Sequence, residues 1–301
     1  MYNREYARTV SQWQLDWLKK DLQQVTDKST PIVAYFHVPV HKPSISLNNT
    51  RFVTDVTGTN NITNATAFSQ LFSEFSDVHF VSGHTHRNNP ISNSKMPAGR
   101  QNIDEHNAAS VGGTWWWSGR LSSVNVGTDG TPGGYKVFDI SNKSINWYYK
   151  SFAKNKDYQF RAFDMNKVKA ELGKSTYDGF YSSTGANKDR YTWAAANSVL
   201  VNVFSWDQDW TIEVEENGSK LAAGKVRQVR ANDPLHVLAY ALPRYTMSGA
   251  SAGFMTEPTH HMFYIEPANG TSTLKITVTD NFGNKYIENM TRPKDFNVNM
   301  Y

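Results

Sequence analysis

The spacing of apolar side chains changes along the chain and divides it into two regions. In the first region, Leu15, Leu18, Leu22 and Val25 recur at intervals of three and four residues after Ser11. This period places the four side chains on one face of a helix, and serine is a favoured residue at a helix start. The pattern predicts a helix from Ser11 that packs on a sheet.

The same helical spacing returns after Asn64, in four large apolar residues: Phe68, Leu71, Phe72 and Phe75. Two short apolar runs, IVAYF at 32–36 and DVHFV at 77–81, have the length and composition of buried strands. Helix and strand therefore alternate in this region, which predicts an α/β fold. Farther on, GGYKVFDIS and SINWYYK predict two strands of a hairpin at the end of the region.

Beyond about Phe152 the apolar positions follow a period of two. In TLKITVTD at 273–280, apolar residues at 274, 276 and 278 alternate with polar ones, as in a strand with one wet face. Seven segments are predicted as strands: SVLVNVFSW, TIEVEE, KVRQVRA, LHVLAYALP, HMFYIEP, TLKITVTD and KYIENM. Strands of this number and length, with Asn217-Gly218 as one hairpin turn, predict an immunoglobulin-like all-β sandwich. We therefore expect two domains, at 1–152 and 153–301.

Composition narrows the class of protein. The 301 residues are 39% hydrophobic and 13% aromatic, enough for two cores, and no apolar run reaches the length of a membrane span. The net charge is +4, with Lys and Arg scattered among acids, so we expect no nucleic-acid-binding surface. The absence of cysteine excludes disulfides, zinc-thiolate sites and cysteine nucleophiles. Richness in Asn, Thr, Ser, Trp and Tyr favours an extracytoplasmic location, periplasmic or secreted.

Histidines follow both predicted strands of the first region. His37 comes directly after IVAYF, and His84 and His86 lie in VSGHTHRNN at 81–89. Imidazole is the commonest neutral ligand for transition metals, and open α/β sheets place their chemistry beyond the carboxyl ends of strands. Gly83 is expected to take the unusual backbone angles that turn the two histidines toward one place. The pattern predicts a metal site built from His37, His84 and His86.

At these residues the chain resembles the calcineurin-like metallophosphoesterases, whose catalytic domain ends with a strand, a histidine near a proline, a helix, and a strand running into G-H-x-H. The corresponding segments are IVAYFHVP, ATAFSQLFSEF and DVHFVSGHTH. The resemblance implies part of an αββα sandwich and hydrolysis of phosphate mono- or diesters with two divalent ions of manganese, iron or zinc. It implies that His37 and His84 hold one ion and His86 the other, and that His84 and His86 are catalytic.

The second region resembles the C-terminal domain of bacterial, especially Bacteroidetes-type, calcineurin-like proteins, most clearly in the V-T-D-x-x-G-N-x-Y pattern from Val278 to Tyr286. That resemblance implies no particular ligand. Arg87, Arg100 and Arg120 are candidates for gripping a substrate phosphate, since guanidinium binds phosphate through a bidentate fork. Trp115, Trp116 and Trp117 are candidates for a substrate wall or for packing.

The family's earlier motifs, D-x-H, G-D-x-x-D and G-N-H-D/E, do not occur before His37. Two divalent ions about 4 Å apart repel unless anionic ligands surround them, and three neutral imidazoles supply no such charge. We therefore expect the chain to be the C-terminal part of a longer phosphoesterase and to be inactive alone. Its exposed strand edge would then be covered by self-association, a retained N-terminal fragment or the tryptophans.

Two alternatives stay open at this point. The chain could be a non-catalytic remnant whose sandwich binds a partner or a glycan, or a mononuclear zinc hydrolase with three histidine ligands. Metal stoichiometry separates them. Among the other histidines, His79 is expected to be a hydrogen-bonded residue of its strand. His41 and His236 are expected to be isolated, while His106 is the one outsider that could act beside the site.

Overall fold

The structure is a computed structural model that describes residues 8–45, 52–55, 61–111, 122–180, 191–245 and 256–300. Strands in several sheets predominate, with some helices. The chain divides into two compact units. The N-terminal unit comprises Met1–Ala109, Lys136–Tyr148 and Asp207–Asp209, and the C-terminal unit comprises Ser110–Tyr135, Tyr149–Trp206 and Trp210–Tyr301. Every helix within the described ranges is too short or too polar to cross a lipid bilayer.

The helices of the N-terminal unit begin where the sequence predicts. Helix α1 (Gln12–Gln23) follows Ser11, whose backbone N–H donates to the side-chain oxygen of Gln14 at 3.0 Å. Helix α2 (Ala65–Gln70) follows Asn64, which accepts a bond from the backbone N–H of Val10. The apolar faces of both helices enter one core, which includes these buried residues: Leu15, Leu22, Phe68, Phe72, Phe75, Val78, Phe80 and Ile103.

A four-stranded sheet runs through the N-terminal unit in the order β1-β4-β6-β5. Its strands are β1 (Ile32–Tyr35), β4 (Val78–Ser82), β5 (Asn89–Ile91) and β6 (Ile103–Asn107). Strands β1, β4 and β6 are parallel, and β5 is antiparallel to β6. A separate hairpin pairs β2 (Lys42–Ile45) with β3 (Phe52–Asp55). The hairpin predicted at the end of the first region is present as β7 (Gly134–Ser141) and β8 (Ser144–Ser151).

The C-terminal unit contains two four-stranded antiparallel sheets. One has the order β13-β14-β10-β9, with β9 (Phe160–Asp164), β10 (Val199–Val203), β13 (Val226–Ala231) and β14 (Thr259–Ile265). The other has the order β12-β11-β15-β16, with β11 (Thr211–Glu216), β12 (Ser219–Lys220), β15 (Leu274–Thr279) and β16 (Lys285–Met290). Helix α3 (Met165–Leu172) follows β9. Asn217 and Gly218 both have positive φ, as the predicted hairpin turn between β11 and β12 requires.

The segment LHVLAYALP, predicted as a strand, is helical. It contains helix α4 (Pro234–His236), a π-helical turn (Val237–Ala241) and helix α5 (Leu242–Tyr245). Asp233 caps the start, since its carboxylate accepts the backbone N–H of His236 at 2.8 Å. Proline at the first helical position suits this start because its missing N–H would be unpaired there anyway. The run from Val237 to Leu242 is buried on all sides, so it shows no polar face from which a helical period could be recognised.

Candidate functional site

Two of the predicted site histidines meet at the carboxyl ends of neighbouring parallel strands. Tyr35 of β1 is in register with Val81 of β4, and His37 and His84 follow two and three residues later. The backbone N–H of Gly83 donates to the carbonyl of His37 at 3.1 Å, which continues the pairing beyond the strands. As a result, Nε2 of His37 lies 3.2 Å from Nδ1 of His84, with the two rings nearly perpendicular.

The backbone of the G-H-T-H turn differs from the prediction. His84 and His86 themselves have left-handed φ values of 65° and 58°, whereas Gly83 has no positive φ. A Cβ atom on Gly83 would meet nothing within 4 Å. The prediction that Gly83 supplies the unusual backbone angles is therefore wrong. Left-handed backbone in a non-glycine residue costs on the order of 1–2 kcal/mol, so the turn holds its two imidazoles in a strained conformation.

Asn107, at the end of β6, holds this turn in place. Its side-chain amide donates to Oγ of Ser82 at 3.1 Å and to the carbonyl of Gly83, and its oxygen accepts the hydroxyl of Thr85. Asn107 is 4% exposed, so these bonds form away from solvent. The prediction from the sequence missed this residue. Its position at the end of a strand next to β4 is the signal that could have identified it, but that requires the strand order.

The loop after His37 is fixed by a buried hydrogen-bonded pair that the sequence did not indicate. Nδ1 of His41 lies 2.6 Å from Oε2 of Glu105, and the carboxylate also accepts the backbone N–H groups of Val40 and His41. The prediction that His41 is isolated is therefore wrong. Nη1 of Arg100 lies 3.0 Å from Nε2 of His41. The guanidinium of Arg100 is thus hydrogen-bonded to protein groups, whereas a phosphate clamp would need it to bind phosphate.

Burial and neighbouring imidazoles favour the neutral forms of the turn histidines. Desolvation lowers the pKa of His84, and the charge of His37 adds to that effect. The pKa of His86 is lowered by desolvation first and then by the charges of His84, His37 and Arg87. Neutral imidazole is the form that ligates metal, so both residues suit the predicted role. Arg120 and the three tryptophans at 115–117 lie outside the described residues.

The geometry of His37 and His84 fits a shared metal ion. Two nitrogen ligands of a tetrahedral zinc ion, each at about 2.0 Å, lie about 3.3 Å apart. The observed 3.2 Å is close to that separation. Across the described part of the chain, His86 does not join them in a cluster of three ligand atoms within 4.8 Å, and the site brings in no carboxylate at that range. The structure therefore brings together two of the three predicted ligands.

A second polar cluster is formed by His79 and His106, which lie within strands β4 and β6 of the same sheet. Nδ1 of His79 lies 3.0 Å from Nε2 of His106, and Nδ1 of His106 lies 3.1 Å from Nζ of Lys136 on β7. Since an ammonium only donates, it makes Nδ1 of His106 the acceptor and places the proton of neutral His106 on Nε2, toward His79. His79 then carries its own proton on Nε2, and this nitrogen lies 3.1 Å from Oδ1 of Asp77.

Carboxylates surround the far end of this cluster. Within the described ranges, Asp77, His79 and Asp104 form the one group of three metal-type ligands with ligand atoms within 4.8 Å of one another. Burial raises the pKa of Asp104 to about 7, and the negative charges of Asp207, Asp77 and Asp209 add to the rise. Burial also lowers the pKa of Lys136 to about 8. The cluster therefore places two carboxylates beside a buried imidazole, with Asp104 buried and Asp77 partly exposed.

Comparison with known families gives one match. The family model for the C terminal of calcineurin-like phosphoesterases matches residues 105–286, which is more than half of the chain. The matched range begins in β6 and ends in β16. No curated protein and no solved structure gives a match to the chain.

Proposed function

The chain belongs to the calcineurin-like phosphoesterases, and from this premise we propose that its parent protein is a metal-dependent hydrolase of phosphate mono- or diesters. The observation that carries the proposal is the 3.2 Å separation between Nε2 of His37 and Nδ1 of His84, beyond the ends of two neighbouring parallel strands. A bound divalent ion supplies Lewis-acid polarisation of a phosphoryl oxygen and a nucleophile from water at neutral pH. The proposal also includes the two predicted domains, which are part of an αββα sandwich at 1–152 and an immunoglobulin-like sandwich at 153–301.

In the proposed site, His37 and His84 hold one ion and His86 the other. The neutral imidazoles are held before any ion binds, because strand register sets the heights of His37 and His84 and Asn107 fixes the turn. Such preorganisation matters because a displacement of about 1 Å in a catalytic group can cost 100-fold in rate. A substrate phosphate would lie beside His84 and His86. Of the three candidate arginines, Arg87 is the one that the structure describes next to His86 in the chain.

Charge sets the condition under which this site works. Three neutral histidines bring no negative charge to balance two divalent ions, and no carboxylate from the described residues joins His37 and His84 within ligand range. We therefore propose that carboxylates from outside these 301 residues complete the binuclear site and that the chain alone does not hydrolyse substrate. The mononuclear zinc hydrolase remains the second candidate, favoured by the same 3.2 Å separation, which suits one ion.

The test compares the 301-residue chain with a form extended by the coding sequence upstream of Met1. We expect the chain alone to hydrolyse bis(p-nitrophenyl) phosphate at the background rate and the extended form to turn it over with added manganese or zinc. His84→Ala should lower that rate by at least roughly 100-fold, since losing an outer-shell partner of a ligand alone costs 10- to 100-fold. His260→Ala, a histidine change in β14, serves as the matched control and should keep the rate.

Metal content measured on the same samples separates the candidates. Ions bound at this site are counted as the difference from a His37→Ala/His84→Ala/His86→Ala variant of the same form. Two such ions in the extended form and at most one in the chain alone support the binuclear proposal. Metal-dependent turnover by the 301-residue chain with one zinc ion would replace it with the mononuclear hydrolase. An extended form that binds no metal and shows no turnover would support the alternative, in which the chain is a non-catalytic remnant whose sandwich binds a partner or a glycan.

A further inference from the structure

His79 and its two aspartate neighbours lie apart from the histidines of the G-H-T-H turn. Asp77 and His79 are two residues apart on an extended segment, so both side chains project from the same face of the sheet. Asp104 lies directly beside His79, because the two are register partners on β4 and β6. Strand geometry alone thus brings an imidazole and two carboxylates together, with ligand atoms within 4.8 Å of one another.

The second nitrogen of His79 is buried beside the carboxylate of Asp77 without an aligned hydrogen bond. His79 is 2% exposed, and its Nε2 accepts or donates no aligned hydrogen bond. Oδ1 of Asp77 is only 3.1 Å away, but it lies off the direction in which an N–H on that nitrogen points. This nitrogen therefore lies beside Asp77 and within 4.8 Å of a carboxylate oxygen of Asp104, with no aligned donor or acceptor of its own.

From this geometry we propose that Asp77, His79 and Asp104 form a divalent-cation site that is separate from His37, His84 and His86. One imidazole with two carboxylates suits zinc or manganese, whereas magnesium and calcium take oxygen ligands almost alone. The cation would offset the charge of two carboxylates, one of which, Asp104, is 8% exposed. The Asp77 side chain is 35% exposed and gives the cation a route from solvent.

His106 positions the ligand. Ligating histidines almost always donate their other ring N–H to a fixed partner, and Nε2 of His106 lies 3.0 Å from Nδ1 of His79. With a cation on Nε2, the proton of His79 moves to Nδ1 and is donated to His106. His106 then carries its proton on Nδ1, facing the ammonium of Lys136, which loses its acceptor. Lys136 therefore opposes the cation, both by its charge and by the tautomer that it imposes.

The experiment uses the full chain with the other site removed, in a His37→Ala/His84→Ala background. Zinc binding is measured by calorimetry, and cobalt is used as a spectroscopic probe of the ligand set. We expect this background to bind one zinc ion and to give the visible absorption of coordinated cobalt. Adding Asp77→Asn should weaken zinc binding by about 100-fold. Glu74→Gln, which removes the same charge from an exposed side chain three residues away, should leave the affinity unchanged.

Lys136→Met gives a test in the opposite direction. It should tighten zinc binding by about tenfold, because both the repelling charge and the opposing donor are gone. No zinc in the double-alanine background would overturn the proposal, as would equal affinities for the Asp77→Asn and Glu74→Gln variants. Because His37 and His84 are absent from every protein compared, these outcomes do not depend on whether the proposed phosphoesterase function holds.

Discussion

His79 and His84 lie five residues apart on one stretch of chain, yet the protein treats them in opposite ways. His84 follows the end of β4, half-buried in a strained turn beside His37. His79 lies within β4, 2% exposed, and shares a chain of contacts with His106 and Lys136. Position relative to the strand end therefore separates a histidine in a strained turn from one with buried partners. A histidine beyond the strand is available for chemistry at the expense of strain, and one inside it is held by partners.

The largest effect that this comparison predicts is on the histidine inside β6. His106→Leu keeps a side chain of similar size but leaves the Lys136 ammonium and Nδ1 of His79 without their partner. The free energy of unfolding should fall by about 2 kcal/mol, since the Lys136 ammonium and a buried imidazole nitrogen each lose a hydrogen-bond partner. Urea denaturation with chelator present measures it. His84→Leu is the control at the strand end and should change the free energy of unfolding by less than about 1 kcal/mol.

Acid should act on the interior pair in a defined pH window. Burial is the main cause that lowers the pKa of both His79 and His106 from the ordinary value of 6.5. Below pH 6.5 the unfolded chain therefore binds protons that the folded protein does not, so stability is fully present above pH 6.5 and is lost as the pH falls. The pKa of His106 lies well below 6.5, so this residue should account for about 1 kcal/mol of the loss between pH 6.5 and 5.5, and His79 should add to it.

The His106→Leu variant checks the source of that loss. His106, the histidine whose pKa is lowered further, is then missing, so the fall in unfolding free energy between pH 6.5 and 5.5 should be less than half as large. A pH dependence that is the same in the variant and the parent would assign the loss to other groups.

The smallest effects are expected at the strand end. His84→Gly relieves a left-handed residue and should raise the free energy of unfolding by about 1 kcal/mol. Gly83→Ala should leave stability and metal binding unchanged or slightly improved, because Gly83 has ordinary φ and open space at its Cβ position. Thermal unfolding of the two variants measures the difference. Destabilisation by Gly83→Ala together with no effect of His84→Gly would return the conformational role to the glycine.

Sequence patterns predicted the elements that have one apolar face or that form a short apolar run. The helix after Ser11 and the alternating strand β15 were predicted from one apolar face, and the strands that precede His37 and His84 were predicted from their short apolar runs. The segment after Asp233 has apolar residues on every side, so its period carried no information. The Asp-Pro start was the available signal, because aspartate caps a helix and proline suits its first position.

The candidate site was predictable only as far as ligands lie next to recognisable strands. His37 and His84 met that condition. The pair of His41 with Glu105 joins residues 64 positions apart, and the support that Asn107 gives to the turn depends on β6 lying beside β4. A single sequence does not give strand order, so these contacts could not be predicted. The same limit applies to His106, whose partners are on β4 and β7.

The parallel pairing of β1 with β4 also determines which changes of chain length the site tolerates. The 46 residues between His37 and His84 leave one strand and return to its neighbour, so their number does not enter the distance between the two imidazoles. Insertions or deletions in the polar stretch before α2 should leave the histidine pair in place. Removing one residue from within either strand shifts that strand by about 3.3 Å and turns its side chains to the opposite face. Homologous proteins can therefore be expected to differ in length between the two histidines and to keep the length of each strand that ends at them.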